Sequence, residues 1–203
     1  MEDKFELQEW TVVTFDICSS SNVIEDLTLT QNINQLCYVL NRLKDFIRLK
    51  APLYKMQPYK FVGDGWILLF PTTTSGGDIL TFLTRLSCRF HQLSSSHISR
   101  YLEHAPKPWG LTFGIDTGPL ARTVMLGRYE YVGRPLNIAC RLQNAIKDRD
   151  KEPAYKVLSS RTFYERHRDT LTPHTPKDVT RVLRNIRGGD TFRCVKFELD
   201  VPE

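Results

Sequence analysis

Apolar positions along this chain follow two spacings, and the places where one gives way to the other mark the predicted elements. From Trp10 to Phe15 (WTVVTF) the residues are mostly β-branched or aromatic, as in a short buried strand, and Ile17 to Ser21 then turns toward a helix. Between Val23 and Leu49 the spacing lengthens to three and four. Ile33, Leu36, Cys37, Leu40, Leu43 and Ile47 fall on one stripe, which predicts an amphipathic helix closed by Pro52. Tyr59 to Phe70 (YKFVGDGWILLF) reads as two strands joined by Gly63-Asp64-Gly65, because Asp-Gly between β-branched and aromatic residues is the strongest short hairpin signal. Pro71 to Asp78 then supplies turn residues and an N-cap. A second helix is predicted from about Ile79 to His104, with Ile79, Phe82, Leu83, Leu86 and Phe90 facing the core and an interruption at Ser94 to Ser96.

After the break at Ala105 to Trp109, the segment Trp109 to Ile115 reads as a strand ended by a tight turn, Asp116-Thr117-Gly118-Pro119, with Leu120 to Leu126 as its return. Gly133-Arg134-Pro135 opens a third helix, with proline in its first turn, running to about Lys147. Asp148 to Pro153 is a charged loop, Tyr155 to Leu158 a short strand, and Ser159-Ser160 a cap for a brief helix to about His167. Asp169 to Asp178 is a surface loop. Two last strands, near Thr180 to Ile186 and Thr191 to Leu199, are joined through Gly188-Gly189-Asp190. The order is β-α-β-β-α-β with an αβ extension, a ferredoxin-like α+β plan with helices on one face of a mainly antiparallel sheet.

At 203 residues and 41% hydrophobic content, the chain is expected to form one domain, its core at about 10–147 and its extension at about 155–199. The longest purely apolar runs, such as Trp66 to Phe70, fall far short of the ~20 residues a membrane span needs. The N-terminus, MEDKFELQEW, is too charged for a signal peptide, so a cytoplasmic protein without direct membrane insertion is expected. Five scattered cysteines lack metal-ligand or disulfide spacing and are expected to be reduced. A net charge of +5 favours an anionic partner. No Lys/Arg run exceeds two and no aromatics are interleaved for stacking, which argues for a nucleotide over a nucleic-acid groove.

Two carboxylates are placed for metal chemistry. Asp64 sits at a hairpin tip and Asp16 at a strand end, and either alone is more commonly a turn residue or cap. Together they supply the one or two protein oxygens Mg²⁺ takes while leaving room for water and phosphate. On the third helix, Asn137 and Arg141 are four residues apart and share a face. An amide orients a ribose oxygen and a guanidinium grips a phosphate.

With these residues in view, the sequence resembles the class III nucleotidyl cyclases, the adenylate and guanylate cyclase catalytic domains. The likeness rests on FDICSSS (Phe15 to Ser21), KFVGDG (Lys60 to Gly65), GIDTGPL (Gly114 to Leu120) and YEYVGRPLNIACRLQN (Tyr129 to Asn144), which keep the family's order and spacing. It implies two divalent ions, Mg²⁺ or Mn²⁺, held by Asp16 and Asp64 with the Ile17 carbonyl. It also implies Lys60 and Glu130 at the base, Asn137 on the ribose and Arg141 at the α-phosphate, and where the family has a Lys on the polyphosphate this chain offers Arg187. The substrate would be a nucleoside triphosphate, cyclised with loss of pyrophosphate in a homodimer whose two sites are shared across the interface. A Lys with an acidic partner is the adenylate-type pair, although Glu130 can instead bind Lys60 and shrink the pocket. Tyr59, Tyr129 and Tyr131 can stack on a base or pack the strands. The short catalytic domain and FDICSSS are similar to the Pycsar-type pyrimidine cyclases of bacterial anti-phage defence. These make cyclic UMP or cyclic CMP, and in such a system a separate effector protein reads the product. An adenylate cyclase, a non-catalytic nucleotide-binding module and a polymerase palm are the alternatives, and the chain lacks the fingers and basic groove of the last.

Overall fold

The β-branched run that begins at Trp10 becomes the middle of a longer strand, β1 (Glu6–Ile17), around which the other elements are arranged. A computed structural model describes residues 6–102, 109–146, 154–184, 186 and 191–201. Two helices follow β1 where the stripe predicts one: α1 (Ser20–Leu29) and α2 (Ile33–Lys50), of which α2 buries Leu36, Val39, Leu43 and Ile47. Between them Gln31 takes φ 57, a left-handed turn that neither glycine nor proline announces. The Asp-Gly hairpin forms as expected from β2 (Gln57–Val62) and β3 (Gly65–Pro71). Ser75 then caps α3 (Gly76–His97), its side chain accepting from the Asp78 amide. Ser94 to Ser96 do not interrupt this helix, and the Ser94 hydroxyl donates back to the His91 carbonyl.

The segment Asp116 to Pro119 is not a turn. One strand, β4 (Leu111–Met125), runs straight through it and pairs with β1 from Ile17↔Leu111 to Glu6↔Arg122. Pro119 is tolerated because β6 covers the other edge of β4 only at Thr112 to Ile115, and β5 only from Ala121 onward. The reversal comes instead at Leu126-Gly127, both at positive φ, and leads into β5 (Arg128–Val132). Next come α4 (Arg134–Asn144), β6 (Lys156–Ser160) and α5 (Arg161–His167), whose N-cap Ser160 accepts from the Phe163 amide. The chain ends in β7 (Lys177–Val182) and β8 (Thr191–Glu198).

These strands form an eight-stranded sheet in the order β2-β3-β1-β4-β6-β8-β7, with β5 on the distal half of β4. All pairs are antiparallel except β4 with β6. Helices occupy both faces, contrary to the expectation of one. Val13 and Phe15 belong to the large core with residues of α2, α3 and α5, whereas Val12, Leu69 and Leu120 meet Ala139 of α4 on the opposite face. Period 2 in β1 sends neighbouring residues to different layers. Phe70 and Phe113 of the sheet and Phe82 and Phe90 of α3 are fully buried, each worth roughly 1.5–3 kcal/mol, so the side of the sheet behind the site is well anchored.

Candidate active site

Strand register brings the two carboxylates to one place. Phe15 pairs with Trp66, so Asp16 comes opposite Gly65, the neighbour of Asp64 at the hairpin turn. The approach is close. A Cβ on Gly65 would lie 1.8 Å from the Phe15 carbonyl oxygen and 3.1 Å from the Asp16 Cα. Gly65→Ala is therefore expected to cost about 1–3 kcal/mol and to open the hairpin. A thermal melt checks this; an unchanged midpoint would contradict the packing.

Asp16 and Asp64 line a cavity of about 290 Å³ together with Thr14, Cys140, Gln143 and Asn144 on its polar side. Oδ2 of Asp64 is buried and has no hydrogen-bond partner, a costly arrangement for a carboxylate unless a cation meets it. Two carboxylates, one with an orphan oxygen, suit a hard divalent ion that keeps water and phosphate in its other positions. Among the described residues no cluster of three or more His, Cys, Asp or Glu is available to a metal. The residues present thus fit Mg²⁺ or Mn²⁺. Ile17, the last residue of β1, is buried beside Asp16.

The geometry of α4 follows from Gly114. A Cβ there would lie 2.0 Å from the Ala139 carbonyl, so the helix rests directly on β4. Ile138, Ala139 and Leu142 are buried against the sheet, while Asn137 is exposed and Arg141 half-buried one turn later. Neither Asn137 nor Arg141 is among the residues that line the cavity of the same chain. Cys140 lines it instead, and burial raises its thiol pKa. Period 2 from Asp16 to Thr14, and the three-and-four spacing that puts Cys140, Gln143 and Asn144 on one helix face, were the signals for the lining residues that sequence reasoning missed.

Tyr59 and Lys60, adjacent on β2, form one cluster with Glu130 of β5, seventy residues on from Lys60. Lys60 Nζ lies 3.2 Å from Glu130 Oε2, and the Tyr59 hydroxyl donates to that same oxygen. Tyr59 also accepts from the Tyr131 amide at 3.1 Å, and the Tyr131 hydroxyl donates to Gln57 Oε1 at 3.0 Å. Burial, then the bond to Glu130, raises the Tyr59 pKa; hydrogen bonds from Tyr59 and Lys60 lower that of Glu130. Tyr131 is buried edge-on between Trp10 and Tyr59, which makes it a packing residue, while Tyr129 is exposed beneath the Arg122 guanidinium. Arg187 lies outside the described residues, as do Glu103 to Pro108, Lys147 to Pro153 and Gly188 to Asp190. Among the described residues no helix is long and apolar enough to cross a membrane.

No protein-family model matches the sequence, and no curated protein sequence does. Solved structures do. The adenylyl cyclase CyaB from P. aeruginosa shares 20% identity at a TM-score of 0.71, the match covering 98% of each chain. The guanylyl cyclase Cya2 shares 18% identity at a TM-score of 0.67, over 98% of this chain and 96% of that one. The catalytic core of a rhodopsin-guanylyl cyclase with converted specificity, solved with ATPalphaS, shares 14% identity at a TM-score of 0.65, over 98% of this chain and 99% of that one. The fold is that of the adenylyl and guanylyl cyclase catalytic domains.

Proposed function

We propose that this chain is a metal-dependent nucleotidyl cyclase that converts a nucleoside triphosphate into a 3′,5′-cyclic nucleotide and pyrophosphate, and that its substrate is a pyrimidine nucleotide. The observation that carries the cyclase reading is the meeting of Asp16 and Asp64 in one cavity, with an orphan oxygen on Asp64, within this fold. Both carboxylates and the Ile17 carbonyl would hold Mg²⁺ or Mn²⁺. The ions, when bound, lower the pKa of the ribose 3′-hydroxyl and offset charge on the attacking and leaving oxygens. In the reaction the 3′-oxygen forms a bond to the α-phosphorus, the α–β phosphoanhydride breaks, and its electron pair leaves with pyrophosphate while the hydroxyl proton passes to solvent. Asn137 orients the ribose, Arg141 meets the charge that grows at the α-phosphate, and Arg187 contacts the polyphosphate.

Asn137 and Arg141 do not line their own chain's cavity, which favours a homodimer in which each α4 serves the partner's metal pair. The β4–β5 arm supports this. Val124, Met125, Leu126, Tyr129 and Val132 are exposed along it, the composition of a surface that another subunit covers.

Base choice rests on the Lys60, Glu130 and Tyr59 cluster. The pair that would read a purine is bonded to itself and to a tyrosine, which occupies the groups a purine would need and favours the smaller ring. Together with the likeness of FDICSSS to the Pycsar-type enzymes, this favours cyclic UMP or cyclic CMP as a messenger in anti-phage defence, read by a separate effector protein. Incubation with each of the four triphosphates and Mn²⁺, followed by mass spectrometry, is expected to give a pyrimidine cyclic nucleotide. Tyr59→Ala should relax the preference by about tenfold. Product from ATP alone would replace the base assignment with an adenylate cyclase, and no product from any triphosphate would leave a nucleotide-binding module.

A further inference from the structure

Asp116 is a charge that the mechanism above does not use. It stands in mid-strand on β4, opposite Val12 of β1, with 0% of its surface exposed. Parallel pairing of Ile115 with Ser159 brings Ser160 alongside it on β6. Thr117, its neighbour, bonds Thr11 at 2.9 Å, and successive strand residues face opposite ways, so Asp116 faces the α4 layer. Both carboxylate oxygens are buried and neither makes a hydrogen bond of good geometry, although the Ser160 hydroxyl and the Thr117 amide lie close enough to pull on the charge. The nearest cation is Arg134, the first residue of α4, with Nη1 3.9 Å from Oδ2. Beside it, a Cβ on Gly118 would lie 3.0 Å from Pro135 Cγ, so strand and helix start are in close contact there. The N-cap of α4 is Gly133, which has no side chain to offer the first-turn amides.

A buried carboxylate this poorly satisfied destabilises the fold and needs a reason to be kept. We infer that Asp116 is a positioning residue: its charge holds Arg134 and the positive end of α4 against the sheet, and thereby sets the placement of Asn137 and Arg141, one and two turns further along the same helix. The inference rests on the cyclase reading of those two residues. A carboxylate under a helix N-terminus is favoured by the macrodipole, so the helix gains definition where its own cap is missing. Other groups facing this layer are the Ser160 hydroxyl on β6, the buried Lys156 four residues before it, and Cys194 on β8, which pairs with Ser160. Val12 of β1 contributes no charge.

The sign of the pH effect follows from burial, which raises the Asp116 pKa against the smaller opposing pulls of Ser160, the Thr117 amide and Arg134. A carboxyl whose folded value is raised binds its proton more tightly folded than unfolded. Stability is therefore lost as pH rises from the unfolded value through the folded one. Asp116→Asn removes that loss, so its melting temperature should rise relative to wild type as pH increases over this window. Its kcat for cyclic-nucleotide formation should nevertheless fall about tenfold with KM within about twofold. The acid-side decline of wild-type kcat assigned to this group should disappear. Arg134→Ala should give the same kcat loss, and the double variant no further loss. A more stable yet slower enzyme is a result that packing alone does not produce. Asp116→Asn with wild-type kcat and pH profile, or with lower stability at every pH, would overturn the inference. A wild-type protein that forms no product from any triphosphate would overturn the cyclase reading itself.

Discussion

Asp64→Ala is expected to lower cyclic-nucleotide formation by at least about 10³ while leaving the metal-free melting temperature no lower than wild type and the oligomeric state unchanged. The two halves of this expectation have different origins. Activity is lost because one of the two carboxylates that line the cavity among the described residues is removed, and the charge on the attacking and leaving oxygens is then poorly offset. Stability is kept because Asp64 Oδ2 makes no hydrogen bond that the fold relies on. The hairpin depends instead on Gly65, whose backbone lies against Phe15, and on the ladder from Val62↔Gly65 to Gln57↔Leu69. Mn²⁺ binding followed by calorimetry or electron paramagnetic resonance should weaken in parallel, which separates a lost ligand from a lost catalytic proton. Wild-type turnover or wild-type Mn²⁺ affinity in this variant would contradict the metal assignment.

Arg141→Ala should act on the chemistry without touching the metal. A preorganised cation at the α-phosphate is worth about 10²–10³ in turnover, and the variant is expected to lose that much with KM changed little. Mn²⁺ affinity should remain. Arg141→Lys should recover only part of the loss, because an ammonium cannot reproduce the two parallel donors of a guanidinium. Loss of Mn²⁺ binding in Arg141→Ala would place this side chain in the metal site and contradict the division of labour.

What could be read from the sequence depended on how local its cause was. The Asp64 hairpin and the start of α4 are written in adjacent residues, Asp64-Gly65 and Gly133-Arg134-Pro135, and both form as expected. The β4 reading failed because Asp116, Gly118 and Pro119 are turn residues by type, yet β1 pairs with this stretch throughout and β5 and β6 leave a gap beside Pro119. The true reversal uses Leu126 at positive φ, which composition does not signal. Likewise, Gln31 splits the predicted long helix without glycine or proline. The stripe on α4 announces an apolar face but cannot say which side of the sheet it covers, since both sides are apolar along β1. At the site, the meeting of Asp16 with Asp64 follows from strands expected to pair. The closure of Lys60 on Glu130 joins β2 to β5 and was one of two arrangements the sequence allowed.

The most direct test of a site shared across a two-fold interface is to mix the two dead variants. Asp64→Ala and Arg141→Ala, each inactive alone, should regain about a quarter of wild-type specific activity when exchanged to equilibrium in equal amounts, because half the dimers are then mixed and each of those has one intact site. A mixture as inactive as its components would contradict the account and place metal ligands and arginine in the same protomer's site.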